Sequence, residues 1–174
     1  MSLDFSGYDH ERPDQGGLPK KGKCHLLIID IDADESHESY ISVEHEIIAH
    51  EDPKEVGKST YNSFQTSGKG AKRLQNFLEV TGILTREDIC AAAAAGNTTI
   101  DPDYSKGEGK TYLGTLVESE YEGKAKCKVE FDFKSVTDPA GANYPRNTDY
   151  AAPIAVDEKE TVPPDAGEND DVPF

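Results

Sequence analysis

The sharpest alternation of apolar and polar positions lies at residues 125–134. Cys127, Val129, Phe131 and Phe133 point one way, while Lys126, Lys128, Glu130, Asp132 and Lys134 point the other. A period of two is that of a half-buried strand, and it assigns Phe131 and Phe133 to the core. Upstream, residues 23–32 form a short run rich in Ile and Leu that closes on Asp30 and Asp32, a strand bounded by acids. Residues 38–49 place Ile41, Val43 and Ile47 two or four apart, the spacing of a strand with one covered face. The turn formers Glu51-Asp52-Pro53-Lys54 separate it from residues 58–66, whose β-branched and aromatic side chains predict a third strand. Residues 111–120, with Leu113 and Val117, predict a fourth, joined to the last through a tight turn at Glu122-Gly123.

Between the third and fourth strands the period changes. Leu74, Phe77 and Leu78 share one helix face within residues 70–80, and Gly82 predicts the stop. Thr85, with Asp88 three residues on, has the form of a capping box. It opens a second helix through Ile89 and the alanines at 91–95, ending at Gly96, before a Gly-, Asp- and Lys-bearing loop over 96–110. Three strands, a helical insertion and two strands are the order of the five-stranded Greek-key barrel known as the OB-fold. Strand order alone does not establish closure, so a small α+β sheet is the alternative. The expected division is a flexible arm over 1–20, whose Phe5 and Tyr8 could fold back, a barrel over 21–136, and a disordered tail over 137–174. Prolines crowd the last stretch while aliphatics thin out, too few to bury a core.

Composition narrows the class. The formal net charge is −16, which argues against a binder that works by global attraction to phosphate. Residues 157–174 carry −6 of it, leaving a body of −10, so any contact with nucleic acid must rest on a local basic strip and on stacking. No apolar run is long enough for a transmembrane helix. No basic segment followed by an apolar stretch marks a secretory signal, so a cytoplasmic protein without membrane contact is expected. Cys24, Cys90 and Cys127 are too scattered for a disulfide framework or a zinc site and are expected as reduced thiols. The five histidines (His10, His25, His37, His45, His50) lack metalloprotease spacing. Residues 68–73, Gly-Lys-Gly-Ala-Lys-Arg, lack the phosphate-loop pattern. The acids Asp30, Asp32, Asp34 and Glu35 invite a metal-dependent nuclease reading, but a solvated acidic loop accounts for them more simply. Neither an enzyme nor a cofactor is expected.

The most specific motif is the terminal Asp170-Asp171-Val172-Pro173-Phe174. It resembles the tip of bacterial single-stranded DNA-binding proteins, a run of Asp followed by Ile-Pro-Phe, with Val here in place of Ile. The resemblance implies a hook that recruits replication or recombination proteins. Its chemistry is direct: Pro173 restrains the backbone, and Phe174 presents a ring and the chain-terminal carboxylate together. A partner needs only an apolar pocket beside Arg or Lys. Such docking is weak, on the order of micromolar to millimolar.

Over residues 18–135 the chain resembles phage-encoded OB-fold single-stranded DNA-binding proteins. The resemblance runs from the Lys-Gly-Lys start of the first strand through Gly57-Lys58 and Lys72-Arg73-Leu74 to Gly109-Lys110-Thr111-Tyr112. It implies a barrel that coats and protects single strands during replication, recombination or repair in the host cytoplasm. Such binding needs cations along the backbone and aromatic platforms for bases. The candidates are Lys58, Tyr61 and Phe64 on the third strand, and Lys69, Lys72 and Arg73 at the helix start. Lys106, Lys110 and Tyr112 lead into the fourth strand, and Tyr121, Lys126 and Lys128 surround the last hairpin. Tyr61 and Phe64 are three apart and face opposite sides, so at least one belongs to the core. The expected partners are single-stranded DNA and the enzymes that dock the tip; a homodimer is left open. The rival reading is a protein-binding adaptor that carries the tip without coating DNA.

Overall fold

A computed structural model of the chain describes residues 17–34 and 39–150. Five strands form one antiparallel sheet: β1 (Gly22–Asp32), β2 (Tyr40–His50), β3 (Ser59–Gln65), β4 (Thr111–Tyr121) and β5 (Lys124–Val129), in the spatial order β3-β2-β1-β4-β5. Helices α1 (Gly68–Thr81) and α2 (Arg86–Ala94) lie between β3 and β4. The element order is the expected one. The terminal hook at 170–174 lies outside the described residues.

Local chemistry accounts for the boundaries. Gly82, at φ 71°, supplies the left-handed turn that ends α1 and returns its N–H to the Leu78 and Glu79 carbonyls. The Thr85–Asp88 capping box forms in both directions, satisfying two helix-end donors of α2. Glu122 and Gly123, both at positive φ, make the two-residue turn of the β4–β5 hairpin. In β1, register shifts at His25/Leu26 and Ile28/Asp30 bend the strand, so Gly22 to Leu27 pair with β4 while Cys24 to Asp32 follow β2.

One face of the sheet holds the core. Leu26, Ile28, Val43, Ile47, Phe64, Leu116 and Val129 are buried there, closed off by Leu74, Phe77 and Leu78 of α1. Phe64 stacks on Phe77 with ring centroids 4.8 Å apart, and Tyr112 and Phe133 meet Phe77 edge-on. Gly114 sits where a Cβ would come within 2.7 Å of Val129, so β4 needs a glycine at that point.

The two edge strands meet through side chains. Asn62 Nδ2 donates to the Val129 carbonyl at 3.1 Å, and the Val129 N–H donates to Asn62 Oδ1 at 2.9 Å. Thr60 Oγ1 donates to the Cys127 carbonyl at 3.0 Å. All three bonds join residues 67 apart, so β3 and β5 run alongside each other in one register.

The ordered body continues past the boundary expected at Val136. Residues 135–150 cross the outer face of the sheet as a strap. Tyr144 pairs its hydroxyl with Thr115 at 3.0 Å, and Asn147 bonds His25 Nδ1 and the Ile48 carbonyl. Gly141 packs directly on Leu113. A chain poor in aliphatics is placed here by one aromatic ring and hydrogen bonds rather than by an apolar stripe.

Three histidines are buried among the described residues, His25, His45 and His50, the first two completely. His45 is fully enclosed between Phe77 and Tyr112, and neither ring nitrogen has a hydrogen-bond partner of good geometry. Burial holds its pKa down to about 3, with the Thr60 backbone opposing the shift. His25 is held down to about 4 by burial and the Arg146 charge, and it accepts the Asn147 N–H as a neutral ring. A depressed folded pKa means that stability is complete above the unfolded value of about 6.5 and falls as pH drops toward the folded values.

Two predictions follow from the core. Asn62→Ala leaves both main-chain groups of Val129 unpaired, so chemical denaturation should show a loss of about 2–4 kcal/mol. His45→Leu should be at least as stable as the parent at pH 7. Between pH 6.5 and 3 it should lose stability less steeply, by about 1.4 kcal/mol per pH unit, in denaturant titrations across that range.

Candidate nucleic-acid interface

The register across the β3–β5 seam decides which outward side chains are neighbours. The offset that joins Thr60 to Cys127 and Asn62 to Val129 sets Tyr61 opposite Lys128 on the outer side. Tyr61 is 59% exposed, and Glu44, its partner on β2, accepts a hydrogen bond from its hydroxyl. That bond raises the Tyr61 pKa, so the ring stays a neutral, oriented platform. At the hairpin end, Lys126 lies over the equally exposed Tyr121 ring, 4.5 Å from its centroid.

At the other end lies Phe131. β5 pairs Val129 with Leu116, and the next bridge joins Lys134 to Leu113. The β5 side therefore carries two more residues than the β4 side, and this bulge turns Phe131 out of the ladder. The alternation assigns Phe131 to the core, yet it is only half-buried. Its ring meets Phe64 and Phe133 edge-on at 6.1 Å. The Arg73 guanidinium lies 4.1 Å from its centroid, and the Lys128 ammonium 6.0 Å from it.

The cations continue along α1. Lys69, Lys72 and Arg73 are exposed within its first two turns, where no acid intervenes. Lys72 shares a shallow groove with Arg86 of α2, lined also by Gln75, Asn76 and Glu79. Arg86 was not among the sequence candidates. Its signal was available, since it opens the helix capped at Thr85, but its distance from the lysine clusters in sequence hid it.

Other candidates are placed elsewhere. Phe64 and Tyr112 are fully buried and cannot stack on a base, because both fall on the core side of their strands. Lys58 is neutralised: its ammonium bonds the buried Glu55 carboxylate at 2.8 Å, and this bond holds the Glu55 pKa below the usual range. It fastens the β2–β3 turn rather than facing solvent. Lys106, which pairs with Asp103, lies in a short helical turn packed beside β1. Lys110 precedes β4, its carbonyl bonded to the Ile28 N–H. In the sheet order β1 is the central strand, farthest from the edges that form the seam.

The structure thus brings together Tyr61, Tyr121, Lys126, Lys128 and Arg73 with Phe131, and continues the strip through Lys72 and Arg86. Acids border it: Glu44 holds Tyr61, and the exposed Glu130 directly precedes Phe131. Asp30 and Asp32 are exposed, and among the described residues no group of three or more His, Cys, Asp and Glu is placed to hold a metal ion. Cys24 and Cys127 are buried free thiols and Cys90 is an exposed one; burial raises the Cys24 pKa and pushes Cys127 up to about 11. No helix among the described residues is long and apolar enough to cross a membrane. Comparison with known proteins finds no family model and no curated protein that matches the chain.

Proposed function

We propose that this chain is an OB-fold single-stranded DNA-binding protein that coats and protects single strands in replication, recombination or repair, in the cytoplasm. The terminal Asp170-Asp171-Val172-Pro173-Phe174 recruits partner enzymes. The observation that carries the reading is the strip along the β3–β5 seam, where exposed Tyr61, Tyr121 and half-buried Phe131 alternate with Lys126, Lys128 and Arg73. Rings at intervals between cations suit a flexible strand that offers alternating bases and phosphates. A sheet whose edges are hydrogen-bonded by side chains, with its helix between the third and fourth strands, supports the closed five-stranded barrel. The acidic body favours stacking over charge as the main source of affinity.

Titration with oligo-dT should quench tyrosine emission and weaken as salt rises. In Lys126→Gln/Lys128→Gln the slope of log affinity against log salt should fall by roughly 1.4, two phosphate contacts on a single strand. If no single-stranded oligomer binds at low salt, the reading is lost, and a protein-binding adaptor that uses only the terminal hook takes its place. Deleting residues 157–174, with their net −6, should raise affinity for oligo-dT, most at low salt where charges are least screened. Equal affinities of full-length and shortened protein at low salt would show that the tail does not compete with DNA.

A further inference from the structure

We infer that Phe131 and Arg73 form a clamp for one base, which enters between the Phe131 ring and the guanidinium that covers it in the free protein. The inference rests on the proposed single-strand binding and names the subsite that gives it stacking energy. Three observations support it. The two-residue bulge after Val129 lifts the Phe131 ring out of the ladder, while edge contacts to Phe64 and Phe133 keep it anchored to the core. Such a ring is a rigid platform rather than a mobile surface residue. Its face is covered by Arg73 at 4.1 Å, and Arg73 is itself exposed on α1. A planar guanidinium on a long, solvated stem can withdraw by one stacking layer, roughly 3.5–4 Å, and remain parallel to whatever enters.

The third observation is the position of Lys128. Its ammonium is 6.0 Å from the Phe131 centroid, and its strand position lies across the seam from Tyr61. This cation therefore lies beside Phe131 at a strand position level with Tyr61, an arrangement that matches a base, a phosphate and the next base. Arg73 over Phe131 in the free protein holds the site in a stacked state, so an incoming base exchanges one stacking partner for two and need not pry the core open. Glu130, which directly precedes Phe131, is exposed, and this disfavours an acidic peptide as the occupant and leaves a neutral base as the better fit.

The test uses the full chain, oligo-dT, and an oligomer of equal length carrying abasic sites. Phe131→Leu should weaken oligo-dT binding roughly 5- to 100-fold, the range for losing one stacked base. Its salt slope should stay unchanged, while Phe131→Tyr keeps parental affinity. Arg73→Lys should also weaken oligo-dT with the slope unchanged, because charge is kept and the planar surface is lost. The fully abasic oligomer should bind the parent and Phe131→Leu equally. Photocrosslinking of the unmodified protein to 5-iodouracil-substituted strands should map to Phe131, a readout independent of any effect of substitution on folding. Equal oligo-dT affinity of the parent and Phe131→Leu, an equal loss on abasic strands, or no crosslink at Phe131 overturns the clamp. A parent that binds no single strand overturns the clamp together with the function on which it rests.

Discussion

The arrangement of the molecule depends on how Asn62 joins two strand edges. A five-stranded sheet has two edges, each with main-chain groups that lack a partner. Asn62 reaches across from β3 and makes both bonds of a ladder rung, one to the N–H and one to the carbonyl of Val129. An amide is the side chain suited to this, because it carries a donor and an acceptor side by side, as a peptide unit does. Thr60 adds a single bond two residues earlier. The consequence is positional. With inward residues fixed to each other, the outward ones have no choice of neighbour, and Tyr61 faces Lys128. The exposed strip is thus held in register by polar groups on the inner face.

How much of this was legible in the sequence depended on the type of signal. Alternation located the strands, and the Thr85–Asp88 box and Gly82 located the helix limits, because these signals are local. Core positions that are polar escaped. On β3 the buried side holds Thr60, Asn62 and Phe64, and on β2 it includes His45, so a search for apolar repeats passed over the residues that matter most at the seam. Tyr112 and Phe64 were candidate platforms because aromatic residues suit both roles; only the pleat separates them, and Tyr112 and Phe64 fall on the inner side. The strap over 135–150 was invisible to periodicity for a different reason. It is held by single contacts, Tyr144 to Thr115 and Asn147 to His25, which have no repeat.

Phe131 shows where alternation itself misleads. Period two predicts the direction of a side chain only while the ladder keeps its register. The extra residues between the Leu116–Val129 pair and the Leu113–Lys134 bridge break that register within a segment whose sequence still alternates. Phe133 returns to the core, while Phe131 reaches the surface with Arg73 and Lys128 above it. A bulge cannot be read from one strand alone, since it is a mismatch between two.

The acidity of the chain is best understood together with this strip. A net charge of −16 repels nucleic acid that comes within about one Debye length, about 10 Å at 0.1 M salt, and the exposed cations of the strip are bordered by Glu44 and Glu130. Duplex DNA offers such a surface mainly phosphates, because its bases are stacked on one another. A single strand offers free bases as well, each worth about 1–3 kcal/mol on an aromatic ring whatever the salt. On the proposed function, the acidic body therefore contributes to selectivity. It weakens charge-driven binding of both forms, and the aromatic platforms restore affinity only to the form whose bases are free. Preference for single strands then needs no base-specific hydrogen bond. It follows from placing a narrow row of rings and cations on an otherwise repelling surface.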